Sequence, residues 1–400
     1  DGKVVFGGIS RAAAPATFNK VYFGRINSNG TIDTGFGGPT GDNATDPQGF
    51  VTDTLAGGAA SSPADQVAGL TIDASGRIYG AGFTRDAANN NVPAVWRITA
   101  AGRRDTTWDG DGRYVTGFLG GTYDTCVIDN SNRLVVGGRP DIGTALLISR
   151  WSLATGALDT SFDADGHVSY TLGSTSGTGW ATTLAIQSDD KIVGGDWWGA
   201  AANNNDIGTF RLNVNGSLDT SFSGDGFDVQ GNQAGGGRSD TPTKVFVLSG
   251  GQILMVGSSE GSNGTAFPQD VVVTRYTSAG ALDALYGGGD GVTLFGTTGW
   301  RQDVLSDIAL RSDGNVVGTG WTNVIGGGNS SENGGLWAFN ASGAPLTTFN
   351  TTGKPSSVAA LAASAGATTR LSGTATPAFA RRALPSTSVS MRRPASWQAQ

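Results

Sequence analysis

Residues whose types and spacing could do chemistry fall into few arrangements in this sequence. Two carboxylate pairs stand one residue apart, in Asp109-Gly110-Asp111-Gly112 and Asp163-Ala164-Asp165-Gly166. Closely spaced carboxylates in a turn can contribute to the six to eight oxygens that calcium requires. The later acidic ligand of an EF-hand is missing, and the next copy, Ser223-Gly224-Asp225-Gly226, has lost one carboxylate. Ca2+ at Asp109, Asp111, Asp163 and Asp165 is thus one expectation. Turn-forming Asp is the stronger one, because a short carboxylate caps nearby backbone N–H groups. Cys126 is the only cysteine, so no intrachain disulfide can form. Beside Val127 and Ile128 it reads as a buried strand thiol. His167 is the only histidine and has no nucleophile near it in sequence. No phosphate-cradling loop, zinc spacing or nucleophile elbow occurs, and no catalytic residue is assigned. The many carboxylates leave a glycosidase pair open. Scattered Asp is also what a turn-rich chain carries in any case.

A second set of candidates is aromatic and amide-bearing. Trp180 and Trp300 precede predicted strands, and Trp197, Trp198 and Trp321 follow them. Amide runs at Asn89-Asn90-Asn91 and Asn203-Asn204-Asn205 lie in the same kind of segment. Aromatic platforms beside amide donors suit sugars, and tryptophan also suits protein interfaces. Trp180, Trp197, Trp198, Trp300, Trp321, Asn203 and Asn204 are therefore the candidate ligand-binding residues. The competing expectation is that these rings pack between repeats.

The third arrangement recurs along the chain. Leu158-Asp159-Thr160-Ser161-Phe162 returns as Leu218-Asp219-Thr220-Ser221-Phe222, with looser copies ending at Phe36, Trp108, Tyr286 and Phe349. Upstream of each phrase an arginine recurs: Arg25, Arg97, Arg150, Arg211 and Arg275, with Arg381 in the degenerate last unit. The phrase aspartates are Asp33, Asp105, Asp159, Asp219 and Asp283. In the sixth unit the arginine position is Ala338 and the aspartate position Leu346, so both are lost together. Joint loss predicts that the two side chains pair, as a guanidinium–carboxylate clamp in each unit. A catalytic arginine repeated in every unit would serve no purpose. The phrase aromatic is expected to fill space between units.

Composition indicates what carries these residues. Glycine is 65 of 400 residues, Glu occurs only at Glu260 and Glu332, and Lys only at five positions. The good helix formers are scarce while Asp supplies nearly all the negative charge, which reads as an all-β protein rich in turns. The net charge is −7. Six basic and no acidic residues follow from Lys354 onward, leaving −13 on the rest. An acidic body argues against nucleic acid as a partner. The basic end could dock on an acidic surface, its own or a neighbour's. No apolar run is long enough for a membrane span. The chain begins at Asp1 in mid-repeat, which reads as a processed or truncated product.

Each unit reads as four strands. Strand a is an apolar run such as Leu184-Ala185-Ile186. A tight turn leads to strand b, as in Lys191-Ile192-Val193-Gly194-Gly195. Strand c carries the arginine, and the phrase and an Asp-Gly step precede strand d. A unit of roughly sixty residues fits a four-stranded blade better than a solenoid coil. The expected fold is all-β: a seven-bladed β-propeller of four-stranded antiparallel blades, with six or eight as alternatives. It is read as one domain over 1–400, with units near 1–60, 61–120, 121–178, 179–238, 239–299, 300–355 and 356–400. The first unit lacks strand a. The tail Ser386 to Gln400 is expected to supply it, within one molecule or to the next.

The stretches Leu184 to Gly195 and Arg211 to Gly226 resemble the bacterial delta-60 repeat. That resemblance implies a β-propeller fold in a secreted or surface-attached bacterial protein. It implies no shared activity, so it brings no site residues. The functional expectation is a non-enzymatic extracellular scaffold or adhesion protein that assembles through its ends, with itself or surface glycans and proteins as partners. The alternative is a carbohydrate-binding or carbohydrate-active propeller.

Overall fold

The computed structural model describes residues 2–11, 19–39, 46–53, 55, 65–117, 120–140, 146–172, 181–201, 204–231, 233–235, 239–261, 269–295, 301–324 and 332–346. Their regular structure is entirely β. The last predicted unit, 356–400, lies outside them.

The strands form six antiparallel sheets in chain order. The first holds β1 (Val4–Arg11), β2 (Asn19–Ile26) and β3 (Phe50–Asp53). The second holds β4 (Gln66–Ile72), β5 (Ile78–Arg85), β6 (Asn91–Ile98) and β7 (Arg113–Val115). The third holds β8 (Gly121–Ile128), β9 (Arg133–Pro140), β10 (Leu146–Ser152) and β11 (His167–Tyr170). The fourth holds β12 (Ala181–Ile186), β13 (Ile192–Ala201), β14 (Asn204–Leu212) and β15 (Phe227–Gln230). The fifth holds β16 (Asp240–Val247), β17 (Ile253–Glu260), β18 (Gln269–Tyr276) and β19 (Val292–Phe295). The sixth holds β20 (Arg301–Leu310), β21 (Val316–Val324) and β22 (Glu332–Phe339), joined to the fifth by one parallel pair, Gln269 with Gln302. The first three sheets form one compact unit and the last three another, divided after Tyr170.

Local chemistry sets each sheet. The a–b turns close with the same backbone bond, from Asp73, Asp129, Gln187, Leu248 and Arg311 N–H to the carbonyl four residues on. Asp73 shows why Asp serves there. Its Oδ1 accepts from Ser75 N at 2.9 Å and Arg77 N at 2.9 Å, which holds the turn in shape. Apolar side chains of neighbouring sheets then interlock. Ile78, Trp96 and Leu70 of the second sheet meet Val21, Phe23 and Phe36 of the first. Tyr123, Cys126 and Trp151 of the third meet Tyr79, Val95 and Trp108 of the second. Cys126 is buried, with its Sγ 3.9 Å from the Tyr79 carbonyl, as the sequence predicts.

One irregularity repeats in every complete a–b pair. The register of strand a slips between Val67 and Gly69, Tyr123 and Thr125, Ala181 and Thr183, Pro242 and Lys244, and Leu305 and Asp307. Each slip is a β-bulge at the same place. The strand-b residue facing it is Gly82, Gly138, Gly257 or Gly320, and Asp196 in the fourth sheet. A Cβ on those glycines would collide with the strand-a carbonyl of Gln66, Thr122, Thr241 or Val304. Glycine is needed there for close backbone approach rather than for its dihedral freedom. Gly82→Ala is therefore expected to destabilise the protein by about 1–3 kcal/mol, read as a lower denaturation midpoint. An unchanged midpoint would show that the bulge can move aside.

Candidate functional site

The repeated phrase and the strand-c arginine meet as predicted. Arg25 pairs with Asp33 at 2.6 Å, Arg97 with Asp105 at 2.9 Å and Arg150 with Asp159 at 2.8 Å. Arg211 pairs with Asp219 at 2.7 Å and Arg275 with Asp283 at 2.9 Å. The aspartate divides its labour. One oxygen faces its own turn, taking Ser221 N at 3.1 Å and Ser221 Oγ at 2.7 Å on Asp219 Oδ1. The other, Oδ2, takes the guanidinium. Thr107 and Ser161 repeat the first role toward Asp105 and Asp159.

The arginine does more than close its own sheet. Its Nη1 donates to a carbonyl in the c–d turn of the next sheet: Arg25 to Ala100, Arg97 to Leu153, Arg211 to Ser278 and Arg275 to Ala341, at 2.5–2.8 Å. Its guanidinium carbon also lies 4.6–5.7 Å from the centroid of the phrase aromatic, Phe36, Trp108, Phe162, Phe222 or Tyr286. Those rings are buried, in the place between sheets that their repetition predicts. A residue the sequence did not link to the phrase also joins it. The strand-b cation reaches the same carboxylate, Lys3 to Asp33 at 2.7 Å and Lys191 to Asp219 at 3.1 Å. The recurrence of Lys or Arg before strand b was the available signal.

These contacts shift acidity. The Lys3 ammonium, with Arg25 and the Gly35 N–H, holds Asp33 down at about 2 against the ordinary 3.8. Burial opposes the same shift at Asp219. Bonds from Ser221 and Lys191 and the Arg211 charge outweigh it and bring Asp219 to about 2.

One grouping combines a hydroxyl with the histidine. Ser149 Oγ on β10 lies 2.8 Å from His167 Nδ1 on β11 and 2.8 Å from the Tyr123 hydroxyl on β8. This has the spacing of a nucleophile and its base. Ser149 is wholly buried, however. Burial lowers the His167 pKa from 6.5, with Asp165 working in the opposite direction. The eighteen-residue separation hid this contact from sequence reading.

The tryptophans fall differently from the expectation that they follow strand b. Trp197 and Trp198 lie within β13, opposite Ile207 and Asp206, and Trp321 lies within β21, opposite Val304 and Gly334. The fourth-sheet hairpin keeps pairing to Ala201 and Asn204, which turns a predicted loop into strand. Aromatic side chains fit a pleated surface, which favours that extension. Trp197, Trp198 and Trp321 are each half-buried, and Trp198 Nε1 donates to the Leu172 carbonyl at 2.9 Å. Asn204 begins β14. Trp180, Trp300 and Asn203 lie outside the described residues.

The proposed calcium ligands sit in phrase-to-strand-d turns. Asp111 accepts from Arg113 N at 2.9 Å and pairs with its guanidinium at 3.1 Å. Asp165 Oδ1 accepts from His167 N at 2.8 Å. Asp109 and Asp163 adopt positive φ, 51° and 52°. Asp109 is raised in pKa, by burial and by Asp111. Among the described residues no three His, Cys, Asp or Glu side chains gather to hold a metal ion.

Residues 1–36 and 187–222 match the model of a family described as a domain of unknown function (DUF5122) beta-propeller. The match supports a β-propeller repeat family. It falls on the hairpins and latches of the first and fourth sheets. No curated protein matches the chain. Among solved structures, a protein of unknown function from Dyadobacter fermentans is similar at 11% identity. The alignment covers 84% of this chain and 91% of that one, with a TM-score of 0.42. The polysaccharide lyase Uly1 is similar at 7% identity over 69% of this chain and 70% of its own, with a TM-score of 0.43. Drosophila Plexin A is similar at 9% identity over 69% of this chain, with a TM-score of 0.36. The chain spans 54% of that plexin.

Two outcomes follow from the latch. Asp219→Ala strips Arg211 of its carboxylate, leaves Lys191 only Asp189 at 3.5 Å, and should cost about 3–5 kcal/mol. Arg211→Met leaves Lys191 on Asp219 and should cost less. Equal costs in denaturant melts would remove the second cation from the latch. The pH dependence has a definite sign. Asp33 and Asp219 are depressed from 3.8 to about 2, so their stabilisation is complete above 3.8 and is lost as pH falls through about 2. His167, also depressed, adds a smaller loss as pH falls below 6.5. Melting temperature should therefore fall most steeply between about pH 4 and 2, and Asp219→Asn should flatten that fall.

Proposed function

We propose that this chain is a non-enzymatic scaffold or adhesion module that works outside the cell or at its surface. Its repeat is of the delta-60 kind, closed as seven blades, and it associates with other copies through its ends. The observation that carries this reading is the fate of the repeated charged residues. All five arginine–aspartate pairs are engaged in holding a sheet. Four of those arginines also bind a carbonyl of the next sheet. Those pairs are thereby committed to rigidity. The Ser149–His167 pair, which has the geometry of a nucleophile and base, is sealed from solvent at Ser149. A rigid array presenting variable segments from a constant frame is the usual arrangement for a binding scaffold.

The test is a glycan array run beside electron microscopy of the purified protein. Ordered assemblies with no selective glycan retention are expected. Selective glycan binding that disappears in Trp197→Ala would replace this reading with a carbohydrate-binding one.

A further inference from the structure

The c–d turns of the first and fourth sheets hold a triplet that their copies lack. Asn29-Gly30-Thr31 and Asn215-Gly216-Ser217 stand at the same place, between strand c and the repeated phrase. The second, third and fifth sheets have Ala101-Gly102-Arg103, Thr155-Gly156-Ala157 and Ala279-Gly280-Ala281 there. The turn does not need the triplet. Asn27 N–H donates to the Thr31 carbonyl at 2.8 Å and Asn213 N–H to that of Ser217 at 2.8 Å. Thr99 and Thr277 make the same bond to Arg103 and Ala281, at 2.7 and 2.8 Å, with no amide side chain present. What the triplet adds is a side-chain relay. Asn27 Nδ2 donates to Thr31 Oγ1 at 3.1 Å, and Thr31 Oγ1 donates to Asn29 Oδ1 at 2.7 Å. Asn213, Ser217 and Asn215 repeat it at 3.0 and 2.8 Å. Hydrogen bonds in a chain polarise one another. This one draws electron density toward the Asn29 and Asn215 amide oxygens, which makes their Nδ2–H bonds easier to deprotonate. Both asparagines are exposed, and among the described residues neither Nδ2 has a hydrogen-bond partner.

We propose that Asn29 and Asn215 are N-glycosylation sites, each taking an oligosaccharide from a polyisoprenyl-phosphate-linked donor. Asn-x-Ser/Thr is the acceptor triplet for that transfer, in surface loops of secreted proteins. The asparagine Nδ2 forms a bond to C1 of the first sugar. The C1–oxygen bond to the lipid phosphate breaks, and the Nδ2 proton leaves with that phosphate. No atom is oxidised or reduced. The proposal rests on the reading that the chain works outside the cell. The rival chemistry at Asn-Gly is deamidation, in which the glycine nitrogen attacks the side-chain carbonyl carbon. Here Gly30 N–H and Gly216 N–H each donate at 2.9 Å to the carbonyls of Asn27 and Asn213, so that nucleophile is held in the turn. The glycan has room at the first site, where a Cβ on Gly30 would meet nothing within 4 Å. Asn340-Ala341-Ser342 is the third such triplet among the described residues. Asn340 is half-buried, and its Oδ1 takes Ser342 Oγ, Ser342 N and Ala344 N at 2.8, 3.0 and 3.0 Å. Its own N–H bonds the Ala344 carbonyl, which puts it at the Asn27 position, opening the turn. It is expected to stay bare. Asn43, Asn263, Asn329 and Asn350 begin the same triplet outside the described residues.

The test is site mapping by electron-transfer mass spectrometry on protein purified from its source, with the protein assayed separately inside and outside the cell. Mass additions of hexose and N-acetylhexosamine on Asn29 and Asn215, with Asn340 bare, are expected. Thr31→Ala and Ser217→Ala should each abolish the glycan at their own site and leave the other. Thr31→Ser should keep it. These variants keep their fold, because Arg103 and Ala281 fill the same position in turns that close normally. Glycan that persists on Asn29 in Thr31→Ala would overturn the proposal. So would sugar on the Thr31 or Ser217 oxygen instead, or conversion of either asparagine to aspartate. Equal occupancy at Asn340 would overturn exposure as the selecting feature. Protein recovered outside the cell with either asparagine bare sinks the proposal and leaves the scaffold reading standing. Bare protein found only inside the cell sinks both.

Discussion

The repeated arginine is the contact on which the rest of the structure depends. Each sheet alone is a small antiparallel ribbon whose outer strands have little to pack against. The guanidinium joins three things: the carboxylate that fixes its own last turn, the aromatic beneath it, and a carbonyl in the next sheet. Sheet closure and sheet stacking are thereby coupled through one side chain. A buried ion pair alone would be weak support, because desolvation offsets most of its attraction. Here Arg211 Nε meets a carboxylate, Nη1 a carbonyl and Nη2 a serine hydroxyl, so each of its nitrogens regains a partner on leaving water.

The sixth sheet separates what the latch does from what the backbone does. It lacks both the arginine and the aspartate, yet Leu346 N–H still donates to the Ala338 carbonyl at 2.9 Å. The same bond joins Asp219 to Arg211 and Asp283 to Arg275. The turn therefore forms without the ion pair. What the arginine adds is the hold on a neighbour, as from Arg211 to the Ser278 carbonyl.

Much of this was legible in one sequence. Turn residues, alternating apolar runs and the repeated phrase locate most strands, because those signals act within a few residues. The arginine–aspartate pairing was readable for a different reason: the sixth unit lost both partners, which is a comparison made inside one chain. What stayed hidden depends on register between distant segments. Lys3 reaches Asp33 across a whole hairpin, and Arg25 reaches Ala100 in another sheet. Ser149 meets His167 only because β10 pairs with β11 with those two residues opposite each other. Trp197, Trp198 and Trp321 were misplaced because strand b was read as ending near its glycines, whereas the b–c ladder runs on past them in the second, fourth, fifth and sixth sheets.

A repeat also supplies its own control for reading specialisation. Where a position is the same in every copy, geometry explains it. Where one copy departs, some other demand has overruled the geometry. The bulge-facing glycine illustrates both cases. It is kept at Gly82, Gly138, Gly257 and Gly320, where a Cβ would strike backbone. It becomes Asp196 in the fourth sheet, buried beside the small Ala181. At Gly8 the residue is kept although nothing nearby in its own sheet enforces it. Departure and unexplained retention are different signals. The first marks a sheet altered for a local purpose, as the polar trio of Ser149, Tyr123 and His167 marks the third. The second is seen at Gly8, where a Cβ would meet only the Tyr22 ring.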